Sequence, residues 1–209
     1  MKIVIFGATG ATGRHLVEGA LAAGHAVTAF ARSPEALGEP RERLRVATGD
    51  VNDAGSVQAA IAGQDAVICA LGQRKGAPAA DVTTGTQNIV GAMEKAGVRR
   101  LVFLSGYGAG DSLNEAHFVF RRIIRPLFLR EMYAEKDRQE EIVRGSALDW
   151  IIVRPVRLSD GPARGACRVI EGAVSAGPSA EITRADVAAF MLGQLADDRY
   201  LRKTPGIMA

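Results

Sequence analysis

Three glycines at intervals of three residues, Gly7, Gly10 and Gly13, come directly after the short apolar run 2–6. That run is rich in β-branched and aromatic side chains, as buried strands are, and apolar residues recur at helical spacing beyond Gly13. Glycine permits a turn too tight for other residues. The opening of the chain therefore predicts a strand, a close turn and a helix in immediate succession.

The rest of the chain repeats this alternation of strands and helices. Short β-rich runs fall at residues 2–6, 26–31, 44–48, 65–70, 100–105 and 149–154. Helical patterns lie between them, and Gly24, Gly63 and Gly97 fall where three helices should end. Such alternation is typical of a parallel sheet covered on both faces. We predict an α/β fold with a doubly wound parallel sheet, the Rossmann fold, and a capping box at 183–186 that opens a late helix.

Length and hydropathy limit the organisation of the chain. A chain of 209 residues has the size of one ordinary domain, so we predict a single domain over 1–209. Within it we expect a lid or substrate segment around 110–132 and a small C-terminal part over 156–209. The run 2–6 is too short for a signal peptide, and no run is long enough to span a bilayer. The prediction is a cytoplasmic protein with no membrane partner.

Composition leaves the kind of partner open. A net charge of +3 and an isoelectric point near 9.1 suit a polyanionic small molecule as well as a nucleic acid. The three histidines and two cysteines show no metal-ligand spacing, so no metal site is predicted. Cys69 lies inside an apolar run and is expected to be a buried structural thiol. We expect a small-molecule partner, no nucleic acid, and a monomer or homodimer.

The glycine-rich turn also indicates a ligand. A turn that leads from a strand into a helix presents backbone N–H groups and the positive end of the helix dipole, which suit the pyrophosphate of a dinucleotide. The spacing G-x-x-G-x-x-G matches the dinucleotide motif G-x-G-x-x-G only in part. A glycine-rich turn without a ligand is the alternative interpretation.

The end of the second predicted strand bears on the choice of cofactor. NAD sites usually offer an acidic residue there, whereas an arginine accommodates the 2′-phosphate of NADP. Here the strand ends in Arg32 and Ser33, and no carboxylate follows until Glu35. A guanidinium beside a hydroxyl suits a phosphate, so we predict NADP(H) in preference to NAD(H). A solvated arginine at a strand end is the alternative.

Segments along nearly the whole chain resemble one family. They are GATGATG at 7–13, AFARSP at 29–34, GDV at 49–51, AGQDAVICALGQRKG at 62–76, NIVGAMEKAGV at 88–98, LVFLSG at 101–106 and SALDWIIVRP at 146–155. In this order they resemble the atypical short-chain dehydrogenase/reductases. Within that family the chain most resembles the biliverdin-IXβ reductase/flavin reductase branch, NAD(P)H-binding proteins that are also grouped with the NmrA-like family.

The resemblance implies a set of cofactor-binding and active-site residues. By the part of the cofactor that they contact, they are Thr9, Gly10 and Thr12 for the pyrophosphate, Arg32 for the 2′-phosphate, Asp50 and Val51 for the adenine, Leu71, Gly72 and Arg74 for the nicotinamide ribose and phosphates, Lys136 for that ribose, Ser105 as the active-site serine, and Pro155 beside the nicotinamide. Several of these positions are predicted at the carboxyl ends of strands, where open parallel sheets bind their ligands.

The proton donor usual in this family is not where the motif requires it. Short-chain dehydrogenases use Tyr-x-x-x-Lys, but Tyr133 precedes Lys136 by three positions and Met132 occupies the fourth. At about 100° per residue, this shift predicts that Tyr133 turns away from the place of the donor. Tyr107 is a second candidate for contact with substrate. Arg157 stands where the biliverdin-reducing branch has a histidine, and its cation suits an anionic reduced product.

The lack of the motif's tyrosine as proton donor favours acceptors whose reduction does not require a proton from the protein. Reduction of an isolated ketone requires a tuned proton donor, whose loss typically costs about 10² to 10⁴ in rate. Flavins and quinones delocalise the negative charge that hydride transfer creates, and solvent can supply their proton. The sequence therefore favours a conjugated small-molecule acceptor.

Residues 117–132, HFVFRRIIRPLFLREM, form a second informative stretch, here called the arginine-rich segment. It interleaves apolar side chains with four arginines, and Pro126 should break or start a helix within it. A lid that holds a flat anionic acceptor is one interpretation. An oligomer interface or plain cover on the sheet is the second, and a membrane-surface helix is the third.

Two functions follow from these observations. The first is an NADPH-dependent reductase of a flavin, quinone or similar acceptor, with Ser105 and Lys136 orienting the nicotinamide. The second is a non-catalytic NADP(H)-sensing regulator of the NmrA-like kind. The absent Tyr-x-x-x-Lys motif favours the sensor, whereas Ser105, Lys136 and a lid favour the enzyme.

Overall fold

A computed structural model of the protein describes residues 1–37, 41–72, 80–170 and 179–209. In these residues the strands are β1 (Lys2–Phe6), β2 (Ala26–Ala31), β3 (Leu44–Thr48), β4 (Ala66–Cys69), β5 (Arg100–Leu104), β6 (Asp149–Pro155), β7 (Arg157–Ser159), β8 (Arg168–Val169), β9 (Glu181–Thr183) and β10 (Gly206–Met208). The α-helices are α1 (Ala11–Ala22), α2 (Ala54–Ile61), α3 (Ala80–Ala96), α4 (Arg125–Phe128), α5 (Arg130–Gly145) and α6 (Arg184–Gly193). Short 3₁₀ turns at Pro34–Leu37 and Gly110–Leu113 and a π-helical turn at Phe120–Ile124 complete the elements.

Eight strands form one sheet in the order β3-β2-β1-β4-β5-β6-β10-β8. Every neighbouring pair is parallel except β10 and β8. A separate parallel pair, β7 and β9, lies outside this sheet. The predicted doubly wound α/β fold is confirmed.

The two faces of the sheet carry separate apolar cores. Ile3 and Ile5 of β1 point to one face, where they join buried side chains of α1 and α6. Val4 and Phe6 point to the other face, where they join α2, α3 and α5. This alternation follows from the two-residue period of a strand, and each large side chain fully buried in this way contributes about 1.5–3 kcal/mol.

The bounds of the six predicted strands agree with those of β1 to β6 to within one residue, whereas the short strands β7, β8, β9 and β10 were not predicted. Gly24, Gly63 and Gly97 follow α1, α2 and α3 at positive φ, as expected for helix ends. Thr183 caps α6 by accepting the Asp186 N–H at 3.1 Å. The Asp186 carboxylate accepts the Thr183 hydroxyl and the amides of Arg164 and Gly165, so it ties a preceding loop to the helix start.

The order of the strands determines where a ligand can bind. From β1 the chain passes to β2 and β3 on one side, and β4, β5 and β6 extend the sheet on the other. The connecting segments separate at this point and leave a crevice beyond the carboxyl ends of β1 and β4. In the described part of the chain, no helix has the length and apolar character needed to cross a membrane.

Candidate active site

A cavity of about 890 Å³ lies beyond the carboxyl ends of β1, β4, β5 and β6. The predicted residues that line it are Gly7, Thr9, Gly10, Thr12, Gly13, Arg32, Leu71, Gly72, Ser105, Tyr107, Lys136 and Pro155. Ser33, Asp50 and Val51 are not part of its wall, and the predicted contact Arg74 lies outside the described residues. The fold thus brings residues from distant parts of the sequence to one crevice.

The glycine-rich turn leaves no room for side chains at two of its positions. A Cβ on Gly7 would lie 2.4 Å from the Ala70 carbonyl oxygen, and Gly7 has a φ of +80°. A Cβ on Gly13 would lie 2.0 Å from the Gly7 carbonyl oxygen. The short distances show that the turn packs directly against the end of β4. They also show that the start of α1 packs directly against the turn. Close backbone packing therefore explains the glycines independently of a ligand.

The start of α1 faces the cavity without a side-chain cap. Gly10 is the N-cap residue and offers no side chain to the helix, and its own N–H bonds to the Gly7 carbonyl at 3.0 Å. Ala11, Thr12 and Gly13 of the first turn line the cavity. The amides of a first helical turn have no partners inside the helix, so this point suits an anion such as a pyrophosphate.

Arg32 lies at the rim of the cavity, next to the loop that follows β3. Its guanidinium is 4.0 Å from the Asp50 carboxylate, and both side chains are about half exposed. Asp50 accepts the backbone N–H of Asn52 at 2.9 Å, and the Val51 carbonyl accepts the side-chain amide of Asn88 at 2.8 Å. The loop is thereby held beside Arg32, although Asp50 and Val51 stay outside the cavity wall. Their contact with an adenine remains a prediction.

Ser105 brings a free hydroxyl to the wall of the cavity. The residue follows β5 and is buried, and its N–H bonds to the Val153 carbonyl at 2.8 Å. Among the residues that the structure describes, its Oγ has no hydrogen-bond partner. A buried hydroxyl without a partner is costly, so the site favours a polar group of a ligand at this point.

The side chains of Lys136 and Tyr133, both on α5, reach Gly106, the residue after Ser105. A Cβ on Gly106 would lie 3.5 Å from Cε of Lys136 and 3.5 Å from the Tyr133 hydroxyl. Burial lowers the pKa of Lys136, and the nearby Glu140 offsets part of this effect. The lysine therefore lies in the wall of the cavity rather than on a solvated helix face.

The hydroxyl of Tyr133 is engaged by the backbone. It donates to the Tyr107 carbonyl at 2.9 Å, and burial raises the pKa of Tyr133 to about 12. The sequence predicts that Tyr133 turns away from the place of the family's proton donor, and in the structure its side chain is part of the cavity wall. What prevents it from acting as a tuned acid is this hydrogen bond and the raised pKa, because a good donor needs a pKa near the working pH.

Tyr107 packs chiefly into the core. Its ring lies 3.1 Å from where a Cβ on Gly206 would be, and it joins the buried cluster that contains Ile207. Its hydroxyl is buried without a partner among the described residues, and burial raises its pKa. Cys69 is also buried, and its thiol pKa is raised to about 12 by burial, in agreement with a structural role.

The arginine-rich segment forms the apolar wall of the cavity. Phe120, Ile124 and Leu129 line it, and the ring of Phe120 meets Tyr133 edge to face at 5.4 Å between centroids. Arg125 lies over the Tyr133 ring at 5.3 Å and forms an ion pair with Asp137 of α5. Pro126 falls in the first turn of α4, so it starts a helix as predicted.

Two arginines at the far end of the cavity are already paired. Arg157 bonds to Glu181 at 2.6 Å, and Arg184 bonds to Asp160 at 2.7 Å. Glu181 also pairs with Arg164 at 3.1 Å. The cation expected at Arg157 therefore shares one carboxylate with Arg164, and the sequence could not show this because Glu181 is on a separate strand.

Sequence reasoning missed a group of wall residues on one face of α5. They are Glu135 and Gln139, which line the cavity together with Met132, Tyr133 and Lys136. Their spacing of three and four residues is the signal that could have identified them once Lys136 was assigned to the site.

The residues present fit a dinucleotide with a phosphate-bearing half and a flat apolar half. The start of α1, without a side-chain cap, and the free hydroxyl of Ser105 both line the cavity, and the arginine-rich segment adds an apolar wall. Residues 7–198 match the family model described as NAD(P)H-binding. The chain belongs to this family. The match supports the resemblance to atypical short-chain dehydrogenase/reductases predicted from the sequence.

Individual relatives agree with this assignment. An uncharacterised chloroplastic protein of Arabidopsis thaliana is 33% identical over 181 residues, or 78% of this chain and 61% of that protein. The (4-alkanoyl-5-oxo-2,5-dihydrofuran-3-yl)methyl phosphate reductase of Streptomyces griseus is 29% identical over 198 residues, or 92% of this chain and 62% of the relative. The chain thus spans about three fifths of the length of both relatives.

A solved structure extends the similarity to nearly the whole chain. ChuY, an anaerobillin reductase from Escherichia coli O157:H7, has a TM-score of 0.83 and 27% identity, over 99% of this chain and 96% of that chain.

Within residues 1–37, 41–72, 80–170 and 179–209, no group of three or more His, Cys, Asp or Glu side chains is arranged to hold a metal ion.

Proposed function

We propose that this protein is a cytoplasmic NADPH-dependent oxidoreductase that reduces a flavin, a quinone or a similar conjugated small molecule. When bound, NADPH would supply a hydride to the acceptor and become NADP⁺, and the acceptor would take its proton from solvent. The names of two similar proteins, ChuY and the Streptomyces griseus enzyme, support a reductase. The observation that carries the choice of acceptor is the state of Tyr133.

Cofactor binding is assigned to the glycine-rich end of the cavity. The first-turn amides of α1 hold the pyrophosphate, and Gly7 and Gly13 fix the position of these amides because they let the turn pack closely against β4 and α1. Arg32 receives the 2′-phosphate at the rim of the cavity. Its guanidinium is half exposed there, and its ion pair with Asp50 is a long one, at 4.0 Å. Ser105 and Lys136 orient the nicotinamide half of the cofactor.

The acceptor is assigned to the apolar compartment. Phe120, Ile124 and Leu129 offer a flat apolar surface on the side of the cavity formed by the arginine-rich segment. A conjugated ring system buries its faces against such a wall, and holding two rings in contact is the main contribution that the protein must make.

The chemistry of the proton favours conjugated acceptors over isolated ketones. The Tyr133 hydroxyl donates to a backbone carbonyl and has a pKa of about 12, so it is a poor proton donor at neutral pH. Lys136 lies beside Gly106, as Tyr133 does, and carries no hydrogen bond or ion pair among the described residues. An acceptor that delocalises the added electron pair does not need the missing acid.

Replacing Tyr133 by phenylalanine tests this interpretation. We expect NADPH oxidation within about threefold of wild type, because the hydroxyl is not the donor, and a loss of about 1–2 kcal/mol in unfolding free energy, because the Tyr107 carbonyl loses its partner. Steady-state kinetics and urea unfolding measure both effects. Tyr107→Phe is the matched control, and we expect no loss of stability in it. A fall of 10²-fold or more in Tyr133→Phe, or in Tyr107→Phe alone, would identify that tyrosine as the donor.

The function itself is tested by NADPH consumption with purified protein. FMN, FAD and a small panel of quinones serve as acceptors, followed by absorbance, and NADPH binding is measured separately by fluorescence. Turnover with at least one acceptor supports the reductase. Tight NADPH binding with no turnover across the panel would contradict it and favour a non-catalytic NADP(H) sensor.

Arg32→Ala tests the preference for NADPH. A charge-assisted hydrogen bond to a phosphate is worth about 1.5–3 kcal/mol, so we expect NADPH affinity to fall by roughly 10- to 100-fold. Affinity for NADH should stay nearly unchanged, because NADH lacks the 2′-phosphate. Arg45→Ala, an exposed arginine on the neighbouring strand β3, is the control for net charge. Equal losses for both cofactors in Arg32→Ala would refute the assigned contact.

A further inference from the structure

The outer side of the arginine-rich segment exposes an unusual amount of apolar surface. Six large apolar side chains are exposed in the described part of the chain, and five of them lie in this segment. They are Phe118 (61% exposed), Val119 (36%), Ile123 (45%), Leu127 (71%) and Phe128 (77%). Exposed apolar side chains are ordinary when they are scattered, but this concentration in one segment marks an interaction surface.

These side chains are not needed for the cavity. The inward-facing residues of the same segment, Phe120, Ile124 and Leu129, form the cavity wall. Phe118, Leu127 and Phe128 instead point to solvent. The segment therefore has two faces with different tasks, and its outer face is available to a partner.

The charge on this surface indicates the chemistry of that partner. Arg122 and Arg130 are exposed among the apolar residues, with the single exposed carboxylate of Glu131 beside Arg130, and no ion pair engages any of the three within the described residues. Arg125 differs, because its charge is turned inward to Asp137 and Tyr133. Exposed aromatic and aliphatic residues next to free arginines suit a surface that is both apolar and anionic.

We propose that the outer face of the arginine-rich segment docks on an anionic lipid bilayer. Its apolar side chains enter the boundary between headgroups and acyl chains, while Arg122 and Arg130 contact the anionic headgroups. From the sequence alone no membrane partner is expected, and the finding that no described helix could span a bilayer does not bear on binding at the surface. The exposure of these five side chains is the reason for the proposal.

A second copy of the chain fits this face less well. In a symmetric dimer the same patch meets itself, which would bring the free arginines of both copies to one interface. Like charges at an interface oppose association. An anionic bilayer instead gains from every arginine, by roughly fivefold in the partition coefficient for each one near the surface.

Sedimentation with lipid vesicles tests the proposal. The full chain is mixed with vesicles of phosphatidylcholine alone or of phosphatidylcholine with about a quarter phosphatidylglycerol, which carries the anionic headgroups. We expect binding to the anionic vesicles that weakens as salt is raised, and much weaker binding to neutral ones. In Phe128→Ser and Leu127→Ser the partition coefficient should fall by roughly tenfold each, since an exposed side chain no longer enters the bilayer.

Charge variants separate this face from the overall charge of the protein. Arg122→Glu should weaken binding to anionic vesicles by at least about fivefold, whereas Arg45→Glu, which makes the same change of charge on β3, should have little effect. NADPH binding should be the same in all variants, which shows that the cavity is intact and keeps this test independent of the proposed reaction.

Three outcomes would overturn the proposal. One is no sedimentation with either kind of vesicle. Another is binding that Phe128→Ser and Arg122→Glu leave unchanged. The third is a dimer, detected by sedimentation velocity, that Leu127→Ser dissociates, because the face would then be an interface between two copies.

Discussion

Replacing Gly13 by alanine is expected to reduce NADPH affinity by roughly 100-fold or more and to lower the free energy of unfolding by about 3 kcal/mol. The new Cβ would lie 2.0 Å from the Gly7 carbonyl oxygen, which belongs to the backbone and has no flexible end that could move aside. Either the turn or the start of α1 must shift. The amides assigned to the pyrophosphate shift with it.

Two other glycines provide graded controls for this prediction. A Cβ on Gly10 would lie 3.2 Å from the same Gly7 oxygen, so Gly10→Ala should have a smaller effect. Gly91 in α3 has open space around its Cβ position, and Gly91→Ala should stabilise the protein by up to about 1 kcal/mol. Urea unfolding and fluorescence titration with NADPH give the order. Wild-type NADPH affinity in Gly13→Ala would show that the cofactor does not depend on this turn.

Replacing Arg154 by methionine is expected to destabilise the protein by about 3–5 kcal/mol, or roughly 6–20 °C in melting temperature. Arg154 of β6 and Glu140 of α5 are both 2% exposed and form a two-bond ion pair, with Nε to Oε1 at 3.0 Å. Arg154 also bonds to Asp111 at 2.7 Å, and although burial opposes ionisation, this bond helps to hold the Asp111 pKa below its usual value. The variant leaves the Glu140 carboxylate buried without its cation.

The double variant Arg154→Met with Glu140→Leu distinguishes a buried charge from lost packing. Most of the stability should return, because no uncompensated charge remains. Glu18→Gln removes a partner of the exposed pair Glu18–Arg41, which is closed at 2.7 Å, and should cost less than about 1 kcal/mol. Thermal unfolding of the four proteins gives the comparison. A single variant no less stable than Glu18→Gln would contradict the prediction.

This buried pair also connects stability to the candidate site. Glu140 lies one helical turn after Lys136 on α5, and a Cβ on Gly110 would lie 2.7 Å from Nη2 of Arg154. Arg154 therefore links α5, the end of β6 and the turn Gly110–Leu113 at one point. This arrangement explains why an arginine directly follows the apolar run 150–153 of β6.

Local patterns predicted much of the fold and part of the site. The runs that became β1, β2 and β3 were identified from residues that are neighbours in sequence, and so were the helix ends at Gly24, Gly63 and Gly97. Arg32 at a strand end was found for the same reason. The carboxyl ends of parallel strands meet at one edge of the sheet. The predicted order of strands and helices was therefore enough to predict that Gly7, Leu71, Ser105 and Pro155 lie close together, and all four line the cavity.

Helical geometry alone was not enough for Tyr133. A rotation of about 100° per residue relates its direction to that of Lys136, but the distance from α5 to Gly106 decides whether both side chains reach the cavity. The structure brings both to Gly106 and gives the Tyr133 hydroxyl to the Tyr107 carbonyl. Neither the approach nor the acceptor could be seen in the spacing.

The sequence by itself determined the alternation of strands and helices, the tight glycine turn and the residues at strand ends, because these depend on backbone sterics and on periodicity over a few residues. Only the tertiary structure decided which charges are free. Arg157 is paired with Glu181 and Arg154 with Glu140, whereas Arg122 and Arg130 remain exposed among apolar side chains. Coulomb interactions depend on distance and burial in space, and residues far apart in the chain set both.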